Sequence, residues 1–283
     1  MTVQIITDST SYLPQDLREE YGIKVVSLSV TFETESFREE ALDNDTFYRK
    51  MAESSRIPTS SQPSLQELYE AFVAPIREGR PVIGVFLSAE LSGTYNSALL
   101  VRDQLLEQYP EAQVEMIDSR TAAMEMGLAV LAAAKAAKAG ELFVAVIERV
   151  KRVLERSRLI FAPEVLEYLR KGGRIGGASA LLGSLLQIKP ILTVIEGKAA
   201  VLEKVRTKGR AMETMIKILL EDVRTKGLGD VVVHHINNEI EALHIADILK
   251  EALQVVVPIC PIGPVIGLHV GPGTVGMAYY TLK

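Results

Sequence analysis

Apolar runs alternate with helical patterns through the first half of the chain. Runs at residues 3–7, 24–32, 82–87 and 113–117 have the length of buried strands. Between and after them, polar and apolar positions predict helices over residues 14–20, 45–53, 64–78, about 94–108 and the alanine-rich 122–139. Short apolar runs followed by helices predict an α/β fold, its sheet mainly parallel with helices on both faces. A charged amphipathic helix over 142–156 bridges to a second half of different character.

That second half begins with a strand at 159–162, a helix at 163–170 and the glycine-rich stretch Gly172-Gly173-Arg174-Ile175-Gly176-Gly177. Runs at 190–195 and 199–205 flank Glu196-Gly197-Lys198, a hairpin signal that implies a mixed sheet. Helices at 210–224 and 239–253 alternate with strands at 230–235 and 255–258, and the chain ends in a strand at 274–282. The expected division is an N-terminal α/β domain over 1–158 and a C-terminal α/β domain over 159–283.

With 283 residues and 48% hydrophobic content, the chain has enough apolar material for two cores. Its 31 basic and 36 acidic residues are interspersed, net −5, so the cationic footprint of a nucleic-acid binder is absent. The single cysteine, Cys260, has no internal disulfide partner and sits in an apolar segment, which fits a reducing compartment. Residues 1–6 lead straight into a strand without a signal-peptide pattern, and no apolar stretch approaches the roughly 20 residues needed to cross a bilayer. The expectation is a cytoplasmic protein with no stable membrane insertion.

Small polar residues stand where the predicted strands end. Asp8, Ser9 and Thr10 follow the first run, Ser88 ends the third, and Asp118 and Ser119 follow the fourth. Ligands of parallel sheets bind beyond the carboxyl ends of the strands, which makes Asp8, Ser9, Asp118 and Ser119 candidate pocket-edge residues. The same residue types are the preferred helix N-caps, so both roles stay open. In Leu91-Ser92-Gly93-Thr94-Tyr95-Asn96-Ser97, a hydroxyl and a glycine lie between a buried strand and a helix, where unpaired amides attract an anion. Ser92, Gly93, Thr94 and Asn96 are its candidate residues. Upstream, Thr59, Ser60 and Ser61 precede a capping box formed by Ser64 and Glu67. His269 lies in a Gly- and Pro-rich loop over 263–273, and Arg174 stands between two glycine pairs with Arg170 nearby.

No metal-ligand spacing links His234, His235, His244 and His269, and the sequence has no nucleophile elbow, Walker A loop or dinucleotide fingerprint. No metal or cofactor is expected. Three readings remain from the residues alone: a binding protein for an anionic ligand, a hydrolase or small-molecule kinase using Asp8, Asp118 and His269 as acid or base, or a regulatory interaction module without a ligand.

Six segments together resemble the DegV family, in order and across essentially the whole chain. They are Ile6-Thr7-Asp8-Ser9-Thr10-Ser11, Ser60-Ser61-Gln62-Pro63-Ser64, Leu91 to Ala98, Ile117-Asp118-Ser119, Leu169-Arg170-Lys171-Gly172-Gly173-Arg174-Ile175, and residues 263–273. The resemblance implies two α/β domains enclosing a long-chain fatty acid such as palmitate, and a carrier that presents the acid to a fatty acid kinase for acyl-phosphate formation. By the same resemblance Ser92 and Ser60 hold the carboxyl group, with His269 close by and Thr59 and Ser61 as neighbours. Ser60 stands where the family usually has threonine, so the donor is kept and a methyl group lost. Arg174, with Arg170 second, would serve kinase docking. Burial of a 16-carbon tail contributes on the order of 10 kcal/mol gross, at about 0.8 kcal/mol per CH₂. The head needs neutral donors, since an unpaired buried carboxylate costs several kcal/mol or is forced to protonate. Candidate apolar lining is at 178–186, Ile188, 190–194 and 265–268.

Overall fold

The computed structural model describes residues 2–33, 35–181 and 188–283. Its first half runs β1 (Gln4–Asp8), α1 (Gln15–Tyr21), β2 (Lys24–Val26), β3 (Ser29–Phe32), β4 (Glu35–Arg38), α2 (Asn44–Glu53), β5 (Thr59–Ser61), α3 (Leu65–Arg77), β6 (Val82–Phe86), α4 (Thr94–Gln108), β7 (Val114–Asp118), α5 (Ala123–Lys138) and α6 (Phe143–Arg156). Its second half runs β8 (Ser157–Ala162), α7 (Glu167–Lys171), β9 (Lys189–Ile195), β10 (Lys198–Val205), α8 (Lys208–Lys226), β11 (Leu228–His235), α9 (Glu239–Leu253), β12 (Ile259–Pro261), α10 (Pro264–Val270) and β13 (Val275–Thr281).

Among the described residues the strands form three sheets. The order β2-β1-β6-β7 is wholly parallel. Its strands are apolar on both faces because both are covered: Ile5, Ile83 and Val85 pack toward α5, and Ile6, Val82 and Phe86 lie under α3 and α4. The second sheet, β10-β9-β8-β13-β11-β12, is mixed, with only β11–β12 parallel. Its β9–β10 hairpin turns at Glu196 (φ 50°) and Gly197 (φ 81°), the two positive φ values such a tight turn requires. Ile160, Ile191, Val233 and Met277 face α8 and α9. Leu159, Phe161, Val232 and Ala278 share a core with α5 and α6. Helix α5 is therefore apolar nearly all round, and its alanines let it pack between the two sheets.

Three expectations change. The run 24–32 divides, β2 joining the parallel sheet and β3 the small sheet β4-β3-β5. The break is satisfied from outside: Leu28 N–H donates to Ser9 Oγ at 3.0 Å, Leu28 C=O accepts from Glu39 N–H at 2.9 Å, and Ser27 C=O accepts from Arg38 at 2.9 Å. The strand expected at 255–258 forms later, as β12. The supposed loop at 263–273 contains α10, started by Pro264 at its first position, where the missing N–H costs nothing.

Candidate functional site

A cavity of about 320 Å³ lies against the face of the mixed sheet opposite α8 and α9. Phe161, Gly276 and His234 are in register across β8, β13 and β11, and with Leu159 and Val194 they form one wall. Helix α10 closes another through Val265, Ile266, His269 and Val270. The parallel-sheet half contributes Leu28, Leu87, Leu91, Ala122 and Ala123. The lining is mostly apolar, and both halves of the chain build it.

Polar side chains enter this cavity at a shared border. Ser60, Arg174 and His269 line it and also line a second, more polar depression of about 720 Å³ walled by Arg56, Thr59 and Lys171. Ser60 Oγ lies 2.9 Å from His269 Nε2. His269 Nδ1 is buried and has no hydrogen-bond partner among the described residues. Burial first, and the nearby Arg174 second, push the His269 pKa down to about 4. The ring is therefore neutral at physiological pH, able to donate from one nitrogen and accept at the other. In two-dimensional NMR its ring signals are expected to stay unchanged from about pH 8 down to about pH 5.5. Stability is expected to fall as the pH drops below about 6.5: the unfolded ring takes its proton near 6.5, the folded one only near 4, so acid favours unfolding across that window. Thermal melts of His269→Gln should show a shallower acid decline than the wild type. An equal decline would place the effect elsewhere.

Local backbone geometry explains how these groups meet. Helix α7 ends at Gly172, and Gly173, with φ 71°, turns the chain so that Arg174 N–H returns to Leu169 C=O at 2.9 Å. Arg174 then reaches the C=O of Leu91 at 3.1 Å and of Gly172 at 2.6 Å. Ser92 accepts the Thr94 amide at 3.3 Å and shares a 2.9 Å contact with the Thr94 hydroxyl. Gly93 admits a neighbour: an added Cβ would lie 2.1 Å from Gln62 Oε1, whose amide nitrogen bonds Ser97 Oγ at 2.5 Å. The glycine was expected to let an anion approach; here its open side is occupied by Gln62, which ties the β5 segment to the start of α4.

The structure brings Ser60, Ser61, Ser92, Gly93, Arg174 and His269 to the cavity. It does not bring the other sequence candidates there. Asp8 is fully buried and its carboxylate bonds the amides of Thr10 and Leu87 at 2.9 and 2.8 Å, its pKa raised by burial to about 6. Ser9 bonds Glu39 and Leu28; Asp118 accepts the amides of Ala89 and Arg120; Ser119 bonds within its own turn to Thr121. Thr94 is buried beneath Ser92, Asn96 is exposed on α4, and Arg170 is paired with Glu167 through two bonds of 2.9 and 2.6 Å. The strand-end acids thus hold backbone, and the acid/base set of the hydrolase or kinase alternative is not assembled around His269. Of the expected apolar lining, residues 182–186 lie outside the described residues, and among the described ones Val194, Val265 and Ile266 reach the wall whereas Ile188 does not line it.

Sequence reasoning missed Gln62, Phe161, Ala122, Ala123 and His234. The last lines the cavity with both nitrogens engaged, Nδ1–H donating to Cys260 C=O at 2.8 Å and Nε2 accepting from Met124 N–H at 3.3 Å. Burial lowers its pKa to about 4. Its only sequence signal was alternation on a strand, since partners 26 and 110 residues away carry the bonds. Among the described residues no group of three or more His, Cys, Asp or Glu is placed to hold a metal, and no helix is long and apolar enough to cross a membrane.

Comparison with known proteins adds an independent line. A family model described as an uncharacterised protein of the DegV family matches residues 2–282. A DegV domain-containing protein of Clostridium acetobutylicum is 47% identical over 283 residues, covering 100% of this chain and 99% of the relative. A solved structure described as fatty acid binding of a DegV family protein from Thermus thermophilus superimposes with TM-score 0.90 at 32% identity, covering 100% of both chains. A DegV family structure from Ruminococcus gnavus with vaccenic acid has TM-score 0.86 at 28% identity, covering 98% of this chain and 99% of that one.

Proposed function

The chain belongs to the DegV family, and from that premise we propose that it is a carrier that buries a long-chain fatty acid and presents the carboxyl group for phosphorylation by a fatty acid kinase. The observation that carries this reading is the border between the two cavities: an apolar chamber meets a polar depression at Ser60, His269 and Arg174. An acyl chain lying in the chamber leaves its head at that border. Ser60, Ser92 and neutral His269 hydrogen-bond the head without a fixed ion pair, so the acid and its acyl phosphate are both accommodated. Fatty acids bound by the Thermus and Ruminococcus relatives support the ligand class. In this reading the division near residue 158 separates two lobes that share the ligand, and the protein acts in the cytoplasm as a binding subunit.

Mass spectrometry of organic extracts from purified protein, beside an identically handled control protein, tests the proposal. Stoichiometric fatty acid of about 14 to 18 carbons is expected; protein that is empty and takes up no added fatty acid would overturn it. Arg174 separates binding from presentation. Its guanidinium bonds backbone at Leu91 and Gly172 and is exposed toward the polar depression. Arg174→Ala is expected to retain fatty-acid affinity within about threefold while acyl-phosphate formation by the partner kinase drops by about tenfold or more. Loss of lipid with normal phosphorylation would reverse that role.

A further inference from the structure

Helix α10, which carries His269, meets the end of α7 through a pair of glycines. A Cβ on Gly271, just after α10, would lie 2.3 Å from the Tyr168 ring of α7. A Cβ on Gly172, just after α7, would lie 2.3 Å from His269 Nδ1 and 3.3 Å from its Cε1. The two glycines are required for different reasons. Gly271 has φ 92°, in the region that favours glycine. Gly172 has φ −73° and ψ −8°, a helical conformation open to any residue, so its backbone asks for no glycine. What excludes a side chain there is the imidazole; the nearest backbone atom is the Tyr168 carbonyl oxygen, at 3.1 Å. The backbone of α10 is held independently, at its first turn, by a polar seat on Glu39. Glu39 Oε1 accepts from Val265 N–H at 2.8 Å and from Tyr12 O–H at 2.9 Å, and the Tyr12 oxygen accepts from Ile266 N–H at 3.1 Å. A crowded His269 ring therefore gives way before its helix does.

We propose that Gly172 is a positioning residue for the fatty-acid head site: the space its side chain would fill receives the His269 ring, which sets Nε2 on Ser60 and leaves the Ser60 hydroxyl hydrogen free for the ligand's carboxylate. The proposal rests on the carrier reading and deepens it. Nδ1 stands against Gly172, is buried, and has no hydrogen-bond partner among the described residues. A buried N–H without an acceptor is tolerated less than a buried acceptor without a donor. The ring's proton therefore sits on Nε2 and is donated to Ser60 Oγ across 2.9 Å. Ser60, accepting there, keeps its own hydrogen to donate. No hydrogen bond orients the Nδ1 side of the ring; the shape of the Gly172 turn does. With alanine at 172 the ring is displaced into the polar depression that it already borders, and its contact with Ser60 is lost. The charged and titratable side chains sharing that depression with the ring are Arg56, Tyr168, Lys171 and Arg174. Tyr12, Glu39 and Tyr48 lie against residues 263–267.

Calorimetric titration with a 16-carbon fatty acid and with its methyl ester tests this. Gly172→Ala is expected to weaken acid binding by about tenfold and ester binding by less than about twofold. Gly209→Ala, in the first turn of α8 with no atom within 4 Å of the added Cβ, should change neither. In a His269→Ala background Gly172→Ala should cost nothing further, because the group that it crowds is gone. Two-dimensional NMR of the ring nitrogens supplies a readout that general damage to the fold does not move. Wild-type His269 should show the Nε2–H tautomer. In Gly172→Ala the ring leaves its burial and should titrate between about pH 8 and about pH 5.5, where the wild type stays flat. Glu39 is present in both proteins, so its own titration cancels in the comparison. Acid and ester weakened alike, a full cost of Gly172→Ala in the His269→Ala background, or an Nδ1–H tautomer in wild type overturns the proposal. Should Gly172→Ala alone not fold, the double variant, free of the clash, must fold and match His269→Ala; failure in either respect overturns it. If wild type takes up no fatty acid, the carrier reading fails, and the tautomer and titration of the ligand-free ring still decide whether Gly172 positions His269.

Discussion

Replacing Ala122 with Phe is expected to weaken binding of a 16-carbon fatty acid by roughly a hundredfold while the fold survives. Ala122 lines the cavity with a small side chain and is 4% exposed. Its backbone is extended, φ −154° and ψ 179°, a conformation any residue adopts. A benzyl group there points no strain into the chain and occupies space that an acyl tail would fill. Displacing about four methylenes at about 0.8 kcal/mol each costs about 3 kcal/mol, which is the hundredfold. Val144→Phe is the control, because Val144 is 67% exposed on α6 and away from the cavity lining. Isothermal titration of both variants, with thermal melts to verify folding, makes the comparison. Equal affinities for Ala122→Phe and Val144→Phe would show that the acyl chain lies elsewhere.

Ser60→Ala should weaken binding of the same acid by roughly tenfold to a hundredfold, the value of one hydrogen bond to a charged group, about 1.5–3 kcal/mol. Binding of the methyl ester, which buries the same tail and presents no carboxylate, should change much less. The partner of Ser60 is His269 at 2.9 Å, and His269 already has a second nitrogen without a partner among the described residues. Removing Ser60 leaves the whole ring without its anchor. His269→Ala is therefore expected to add little once Ser60→Ala is present, as residues sharing one interaction are not additive. Acid and ester weakened alike would assign Ser60 to packing, and full additivity would separate the two residues.

The two results together distinguish tail from head. Loss in Ala122→Phe should follow chain volume and be indifferent to the head, whereas loss in Ser60→Ala should follow the head's charge. A stand-alone hydrolase using strand-end carboxylates would show neither pattern, and Asp8 and Asp118 are spent on the backbone amides of Leu87, Thr10, Ala89 and Arg120.

Local chemistry was legible in the chain itself. Apolar runs such as 82–87 needed no alternation to mark a doubly covered strand, Glu196-Gly197 supplied the positive φ values of the β9–β10 turn, and Ser64 with Glu67 made the capping box that starts α3. These depend on neighbours within a few residues, which a sequence displays. The same holds for Ser60, Ser92 and His269 as candidates, since hydroxyls, glycines and a lone histidine in unusual local settings stand out. What the sequence left open was which candidates meet. Asp8 follows a strand-like run and Ser60 precedes a capping box; one caps backbone and the other faces His269, 209 residues away. The split of 24–32, the helix hidden in 263–273, the cavity wall made by Phe161, Gly276 and His234, and the Glu39 seat under α10 all rest on bonds spanning tens to hundreds of residues. Propensity and periodicity act over one or two turns of chain, so they determined the elements and the kinds of chemistry present. Only the packing of α5 between two sheets, which brings distant strands together, decided which side chains share a cavity.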